Sequence, residues 1–154
     1  MKRFQIKVCG NNNVENFRAL TELEPDYVGF IFYDKSKRFV QDEAVFTIFP
    51  HAEKVGVFVN ETSENILKKV EEYRLDVVQL HGDETAEFCK ELINQKHLRL
   101  LTDESFLDFK IWKAIGVRSE EDFQQLTTYQ QVVDSFVFDT KSADYGGTGK
   151  KFDW

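Results

Sequence analysis

The sequence predicts an α/β fold of repeated βα units built on a parallel sheet. Short β-branched or aromatic runs alternate with segments of helical spacing, and two-residue hairpin signals between the runs are scarce. Several runs, such as YVGFIF at Tyr27–Phe32 and VGVFV at Val55–Val59, are apolar at consecutive positions. That pattern suits parallel strands covered on both faces better than a half-wet antiparallel sheet.

In chain order, strands are expected near Phe4–Val8, Tyr27–Phe32, Lys54–Val59, Asp76–Leu80, Lys110–Ala114 and Ser135–Phe138. Between them run five amphipathic stripes: Val14, Phe17 and Leu20; Ala44, Val45, Ile48 and Phe49; Ile66, Leu67, Val70 and Tyr73; Ala86, Cys89 and Ile93; and Phe123 with Leu126. Helical spacing of this kind marks one buried face. Asn13, Thr62 or Ser63, Asp83 and Ser119 are the expected N-caps, with Glu64 and Glu120 in first turns where an acid is favoured. Lys96–Phe109 reads as an insertion between the fourth helix and fifth strand, on the side of an α/β fold that carries stability rather than chemistry.

With 154 residues, 42% hydrophobic, the chain is long enough for one domain with a substantial core. Twenty Lys and Arg against 27 Asp and Glu give a net charge of -7 without a basic run, so no nucleic-acid partner is expected. No apolar run approaches the roughly 18 residues of a membrane helix, and MKRFQIKVCG lacks the features of a signal peptide. The expectation is a soluble, cytoplasmic protein with no membrane contact. Cys9 and Cys89 have neither a C-x-x-C partner nor the count of a disulfide scaffold, so they are expected as thiols.

Two architectures fit βα repeats: an open doubly wound sheet and a closed (β/α)8 barrel. The dinucleotide fingerprint G-x-G-x-x-G is missing after the first strand, where CGNNNVENF stands. Unit spacing of about 26 residues matches the pitch of a barrel of eight strands in ~200 to 250 residues, and six units fall two short.

In either architecture the C-terminal strand ends face one side, where sites are built. Cys9, Arg38, Asn60, Glu61, His81, Lys113 and Asp139 fall there. Each has a plain structural alternative: an isolated cysteine is ordinarily a small buried apolar residue, His81 could cap its loop, Arg38 could be a solvated charge, and Asp139 could bond loop amides. Cys89 lies on an apolar helix stripe and reads as core. GGTGKK resembles a phosphate loop, but Asp144 and Lys151 occupy positions where that motif needs Gly and Ser or Thr. His51, His81 and His97 show no metal-ligand spacing, so no metal is expected.

Taken in order, Lys7-Val8-Cys9-Gly10, Gly29-Phe30-Ile31-Phe32-Tyr33 with Lys35-Ser36 and Arg38, Val55-Gly56-Val57-Phe58-Val59, Val78-Gln79-Leu80-His81-Gly82, and Asp139 with Gly146-Gly147-Thr148-Gly149 and Phe152-Asp153-Trp154 closely resemble the phosphoribosylanthranilate isomerases of tryptophan biosynthesis. The resemblance runs over residues 4 to 154. It implies a TIM-barrel, (β/α)8, fold and a cofactor-free Amadori rearrangement of N-(5-phosphoribosyl)anthranilate to the 1-deoxyribulose 5-phosphate isomer. Carried over by position, Asp139 is the general acid that opens the ribose ring and Cys9 the base that removes the C2 proton. For those roles Asp139 should be raised and Cys9 lowered from their usual values of about 4 and 8.5. Arg38 carries over as partner of the anthranilate carboxylate, and His81 as a substrate-pocket residue without a proton-transfer role. Asn11–Asn13 and Asp34 depart from the family pattern.

The resemblance also implies two further βα units, whose loops hold the substrate phosphate, beyond the six matched. The chain is therefore expected to be one partial barrel domain over residues 1–154, weak or inactive by itself, and to self-associate through open strand edges. An alternative reading makes it a non-catalytic barrel fragment or an oligomerising interaction module.

Overall fold

The computed structural model describes residues 4–48 and 51–140. Its strands are β1 (Lys7–Cys9), β2 (Tyr27–Ile31), β3 (Glu53–Phe58), β4 (Val77–Leu80), β5 (Lys110–Val117) and β6 (Ser135–Thr140). The helices are α1 (Val14–Thr21), α2 (Ser63–Tyr73), α3 (Ala86–Thr102) and α4 (Leu126–Tyr129), with 3₁₀ helices at Glu43–Thr47 and Glu120–Gln125. All six strands are found where expected, and a helical segment fills each of the five connections.

The strands form one sheet in the order β1-β2-β3-β4-β5-β6, every neighbouring pair parallel. The order never reverses, as a doubly wound sheet requires. It is the order of a (β/α)8 barrel wall, incomplete at six strands among the described residues.

Both faces of that wall are covered in its middle. On the outer face, Phe58, Val78, Leu80 and Ile111 pack under Ile66, Leu67 and Val70 of α2 and Ala86, Cys89 and Leu92 of α3. Val28 and Phe30 do the same with Phe17 of α1 and with Val45 and Phe46 of the first 3₁₀ helix. On the inner face, Tyr27, Val55, Val57 and Val77 form a smaller cluster with Ile31 and Trp112. Each fully buried side chain of this size contributes about 1.5–3 kcal/mol, which explains the consecutive apolar positions in the sequence.

The bottom of the wall repeats one device. Asp26, Asp76 and Asp134 stand just before β2, β4 and β6, and each carboxylate accepts a backbone N–H from the start of the preceding unit: Ile6, just before β1, at 2.8 Å, Lys54 of β3 at 2.7 Å and Ile111 of β5 at 2.7 Å. Charge-assisted bonds of this kind tie units in pairs, and the three aspartates are visible in sequence as PDYV, LDVV and VDSF.

Some boundaries differ from expectation. β1 begins at Lys7 rather than Phe4, and Phe4 is 92% exposed. Lys96–Thr102 is not an insertion but the end of α3, and only residues 103–109 form a loop, held by Lys96 Nζ on Phe109 O at 3.0 Å. The extension escapes a periodicity reading because Leu98 and Leu101 are exposed. The α3 N-cap is Thr85, whose Oγ1 accepts Phe88 N at 3.2 Å, and not Asp83. The second helical segment is a short 3₁₀ turn capped by Asp42, with Phe49 outside the described residues. The glycine-rich stretch Gly146–Gly149 and the helix start at Phe152–Trp154 also lie outside them. No helix among the described residues is long and apolar enough to cross a membrane.

Candidate active site

At the C-terminal mouth of the wall, Cys9, Arg38, His81 and Asp139 line one cavity of about 260 Å³. Lys7, Tyr33, Ser36 and Gln79 share it, with an apolar floor of Ile31, Val57, Val59 and Val137. Of the seven strand-end candidates, the four to which the resemblance gives site roles are thus brought together, from β1, the loop after β2, the end of β4 and β6. A larger cavity of about 870 Å³ lies outside, between the loop after β2 and α2. It contains none of the four, and its aromatic lining of Phe32, Phe46 and Tyr73 belongs to the outer packing.

The glycines around this mouth make the room for its side chains. Gly29 pairs with Cys9 across β1 and β2. A Cβ there would stand 2.5 Å from Cys9 Sγ and 3.1 Å from Lys7 Cε, so the bare backbone of Gly29 is what lets both side chains point inward. Gly10 has φ +88, a left-handed conformation that favours glycine. Its open face carries the Arg38 side chain, whose Cδ lies 2.9 Å from where a Cβ would be. The Arg38 loop is further fixed by its own N–H donating to Ser36 Oγ at 3.1 Å and by Asn12 Nδ2 donating to Lys37 O at 3.2 Å. Asn12, a departure from the family pattern, therefore ties the first two loops together.

A line of polar side chains crosses the cavity. Lys7 Nζ donates to Gln79 Oε1, Gln79 Nε2 meets His81 Nδ1 at 3.1 Å, and His81 Nε2 lies 3.3 Å from Asp139 Oδ2. The other Asp139 oxygen accepts Thr140 N at 2.8 Å. Burial holds the His81 imidazole below its ordinary value, Asp139 pulls it upward, and Lys7 and Lys113 push it down again. Burial likewise lowers the Lys7 ammonium, opposed by the charge and hydrogen bond of the Cys9 side chain beside it.

Lys113, Asn60 and Glu61 have structural roles. Lys113 Nζ bonds Glu84 Oε2 at 3.1 Å and Gly82 O at 2.7 Å, and both side chains of the pair are almost wholly buried. Glu84 Oε1 accepts Asn60 N at 2.8 Å, while the Asn60 side chain accepts Asp83 N at 2.7 Å. The pair thus pins the loops after β3 and β4, and His81 stands on the latter. Thr62 caps α2 by accepting Asn65 N at 3.3 Å, and Glu61 braces that cap by accepting Thr62 N at 2.8 Å and Asn65 Nδ2 at 3.0 Å. Cys89 is core, with burial pushing its thiol up to about 11, whereas Cys9 is exposed on a strand paired on one side among the described residues.

Lys7 and Gln79 were missed as site residues. Gln79 carried a signal, since an amide inside the otherwise apolar run VVQL needs a buried partner, whereas Lys7 in FQIKV stands near a second polar residue, Gln5, and carried none.

The fold and its mouth define a barrel-type protein that gathers a thiol, a carboxylate, an imidazole and a guanidinium around one cavity. Residues 6–154 match the family model for N-(5'phosphoribosyl)anthranilate (PRA) isomerase. The N-(5'-phosphoribosyl)anthranilate isomerase of Parabacteroides distasonis is 40% identical over 97% of this chain and 64% of its own length. The crystal structure of phosphoribosyl anthranilate isomerase from Thermotoga maritima superposes with a TM-score of 0.76 at 37% identity, covering 99% of this chain and 69% of that one. A phosphoribosyl anthranilate isomerase in complex with reduced 1-(o-carboxyphenylamino)-1-deoxyribulose 5-phosphate superposes with a TM-score of 0.70 at 34% identity, over 90% of this chain and 66% of that one. The chain belongs to the N-(5'-phosphoribosyl)anthranilate isomerase family, and it spans about two thirds of the length of the relatives it matches.

Proposed function

We propose that this chain carries the acid–base machinery for isomerising N-(5-phosphoribosyl)anthranilate to 1-(2-carboxyphenylamino)-1-deoxyribulose 5-phosphate. The observation that supports this most is the shared cavity of Cys9, Arg38, His81 and Asp139. Asp139 gives a proton to the ribose ring oxygen as the C1–O bond breaks, and the anthranilate nitrogen lone pair closes the C=N bond of the Schiff base. Cys9, as thiolate, then takes the C2 proton. The C2–H electron pair becomes the C1=C2 bond, the C=N pair returns to nitrogen, and the resulting enol tautomerises to the ketose. Proton transfers alone balance every step. Arg38 offers two parallel N–H donors to the anthranilate carboxylate, and His81 lines the pocket against Asp139.

Disappearance of substrate fluorescence on conversion tests this directly. Turnover that Cys9→Ser and Asp139→Asn each lower by about 10²-fold or more is expected. Turnover indifferent to both, or none even when the chain is supplied with the family's seventh and eighth βα units, contradicts the reading.

The outer edges of β1 and β6 are the surfaces through which the chain self-associates. Each pairs on one side only among the described residues, and unpaired strand edges recruit further strands. Phe4, Ile6 and Phe138 are exposed beside them. Sedimentation at micromolar concentration should give a dimer or larger species, and a clean monomer counts against it.

A further inference from the structure

We propose that Lys7, Gln79 and His81 are positioning residues that form one directed hydrogen-bond relay, which holds His81 as the neutral Nε2–H tautomer and aims that proton at Asp139. This rests on the isomerase reading for its catalytic meaning, but the relay itself is read from donors and acceptors. A lysine ammonium has only protons to give, so the Gln79 atom facing Lys7 is the carbonyl oxygen Oε1. The Gln79 amide nitrogen, also a pure donor, is thereby turned to His81 Nδ1 at 3.1 Å. Nδ1 must accept with its lone pair, leaving the imidazole proton on Nε2, 3.3 Å from Asp139 Oδ2. A doubly protonated ring would set two donors face to face at Gln79.

Burial and the cations Lys7 and Lys113 favour the neutral ring, against the opposing pull of the Asp139 carboxylate. Lys7 and Cys9 face it from β1, Arg38 from the loop after β2, Lys113 with its partner Glu84 from β5 and the α3 N-terminus, and Asp139 from β6. Gln79 is 3% exposed on β4, and the Lys7 ammonium, whose side chain runs over Gly29, decides which end of its amide faces β1. The chain of contacts also links the two proposed proton-transfer groups. Lys7 stands beside Cys9 at one end, and His81 stands on Asp139 at the other, so the orientation of the acid depends on the cation next to the base.

The test is nitrogen-15 NMR of the His81 ring in this chain, assigned by the signal lost in His81→Asn. The expected spectrum shows a protonated Nε2 and a bare Nδ1 at neutral pH. Gln79→Glu puts an acceptor at Nδ1 and should raise the His81 titration midpoint by about one unit or more. Lys7→Met frees the amide to turn and should produce mixed tautomers, and Lys7→Arg should restore the single one. A proton on Nδ1 in the parent chain, or a titration unmoved by Gln79→Glu in protein that still unfolds cooperatively, overturns the relay. The spectrum needs no turnover, so an intact relay in a chain that Cys9→Ser and Asp139→Asn leave catalytically unchanged would refute the isomerase reading alone.

Discussion

The middle of the sheet and its two margins are built differently. β2, β3 and β4 are buried at nearly every position, with Val55, Val77, Val78 and Leu80 fully enclosed. β1 and β6 hold no buried residue at all, yet they carry Cys9 and Asp139. Stability and proposed chemistry are thus divided across the sheet: the centre supplies hydrophobic burial, and the margins supply reactive groups at the least enclosed strands. Between them, β4 and β5 contribute polar residues of opposite kinds. Gln79 and His81 face the cavity, while Lys113 is spent on Glu84 to hold the loops.

The sharpest way to break this division is to remove a reactive group at the margin. Asp139→Asn should lower the turnover rate by roughly 10²–10⁴-fold, the usual contribution of a positioned general acid, with little change in the unfolding midpoint. Cutting the buried pair tests the opposite region: Lys113→Met leaves Glu84 charged and unpartnered and should cost about 3–5 kcal/mol, read from urea unfolding. Gly29→Ala crosses the boundary. Its new Cβ meets Cys9 Sγ at 2.5 Å, so a loss of about 1–3 kcal/mol from overpacking should accompany displaced Cys9 and Lys7 side chains and reduced turnover.

The smallest expected effect is on pH dependence. The folded chain holds His81 below its ordinary value, so the unfolded chain binds the extra proton first, below pH of about 6.5. Stability contributed by neutral His81 is present above that value and is lost as pH falls through the folded midpoint. His81→Asn should flatten the slope of unfolding free energy between pH 7 and 5, and an unchanged slope would remove His81 from the account.

Much of the centre was legible in the sequence because it obeys one rule at a time. Apolar runs such as YVGFI and VVQL need cover on two faces, and they received it. The mouth was legible only in pieces. Cys9, Arg38, His81 and Asp139 could be placed at strand ends by the βα pattern, and the family resemblance bound them into one site. Lys7 and Gln79 escaped because their meaning depends on each other across 72 residues, a separation that no local period reports. The α3 extension escaped because its last turns carry exposed Leu98 and Leu101 instead of a continuous apolar face. The triple Asp26, Asp76 and Asp134 was in plain view, but its register with the preceding strands appears only once the sheet is paired.

On the proposed reading the margins of the sheet act while its centre holds the fold, and that division is open to a direct test. It is tested most directly by measuring turnover per folded molecule and the unfolding midpoint together for Asp139→Asn and Phe30→Ala. Phe30 is fully buried between Phe17 and Phe46, and its truncation should cost about 3–5 kcal/mol. A crossed result is expected: Asp139→Asn loses turnover and keeps its midpoint, whereas Phe30→Ala loses its midpoint and keeps turnover per folded molecule. If Asp139→Asn lowers the midpoint as far as Phe30→Ala does, or leaves turnover intact, the division between margin and centre is wrong.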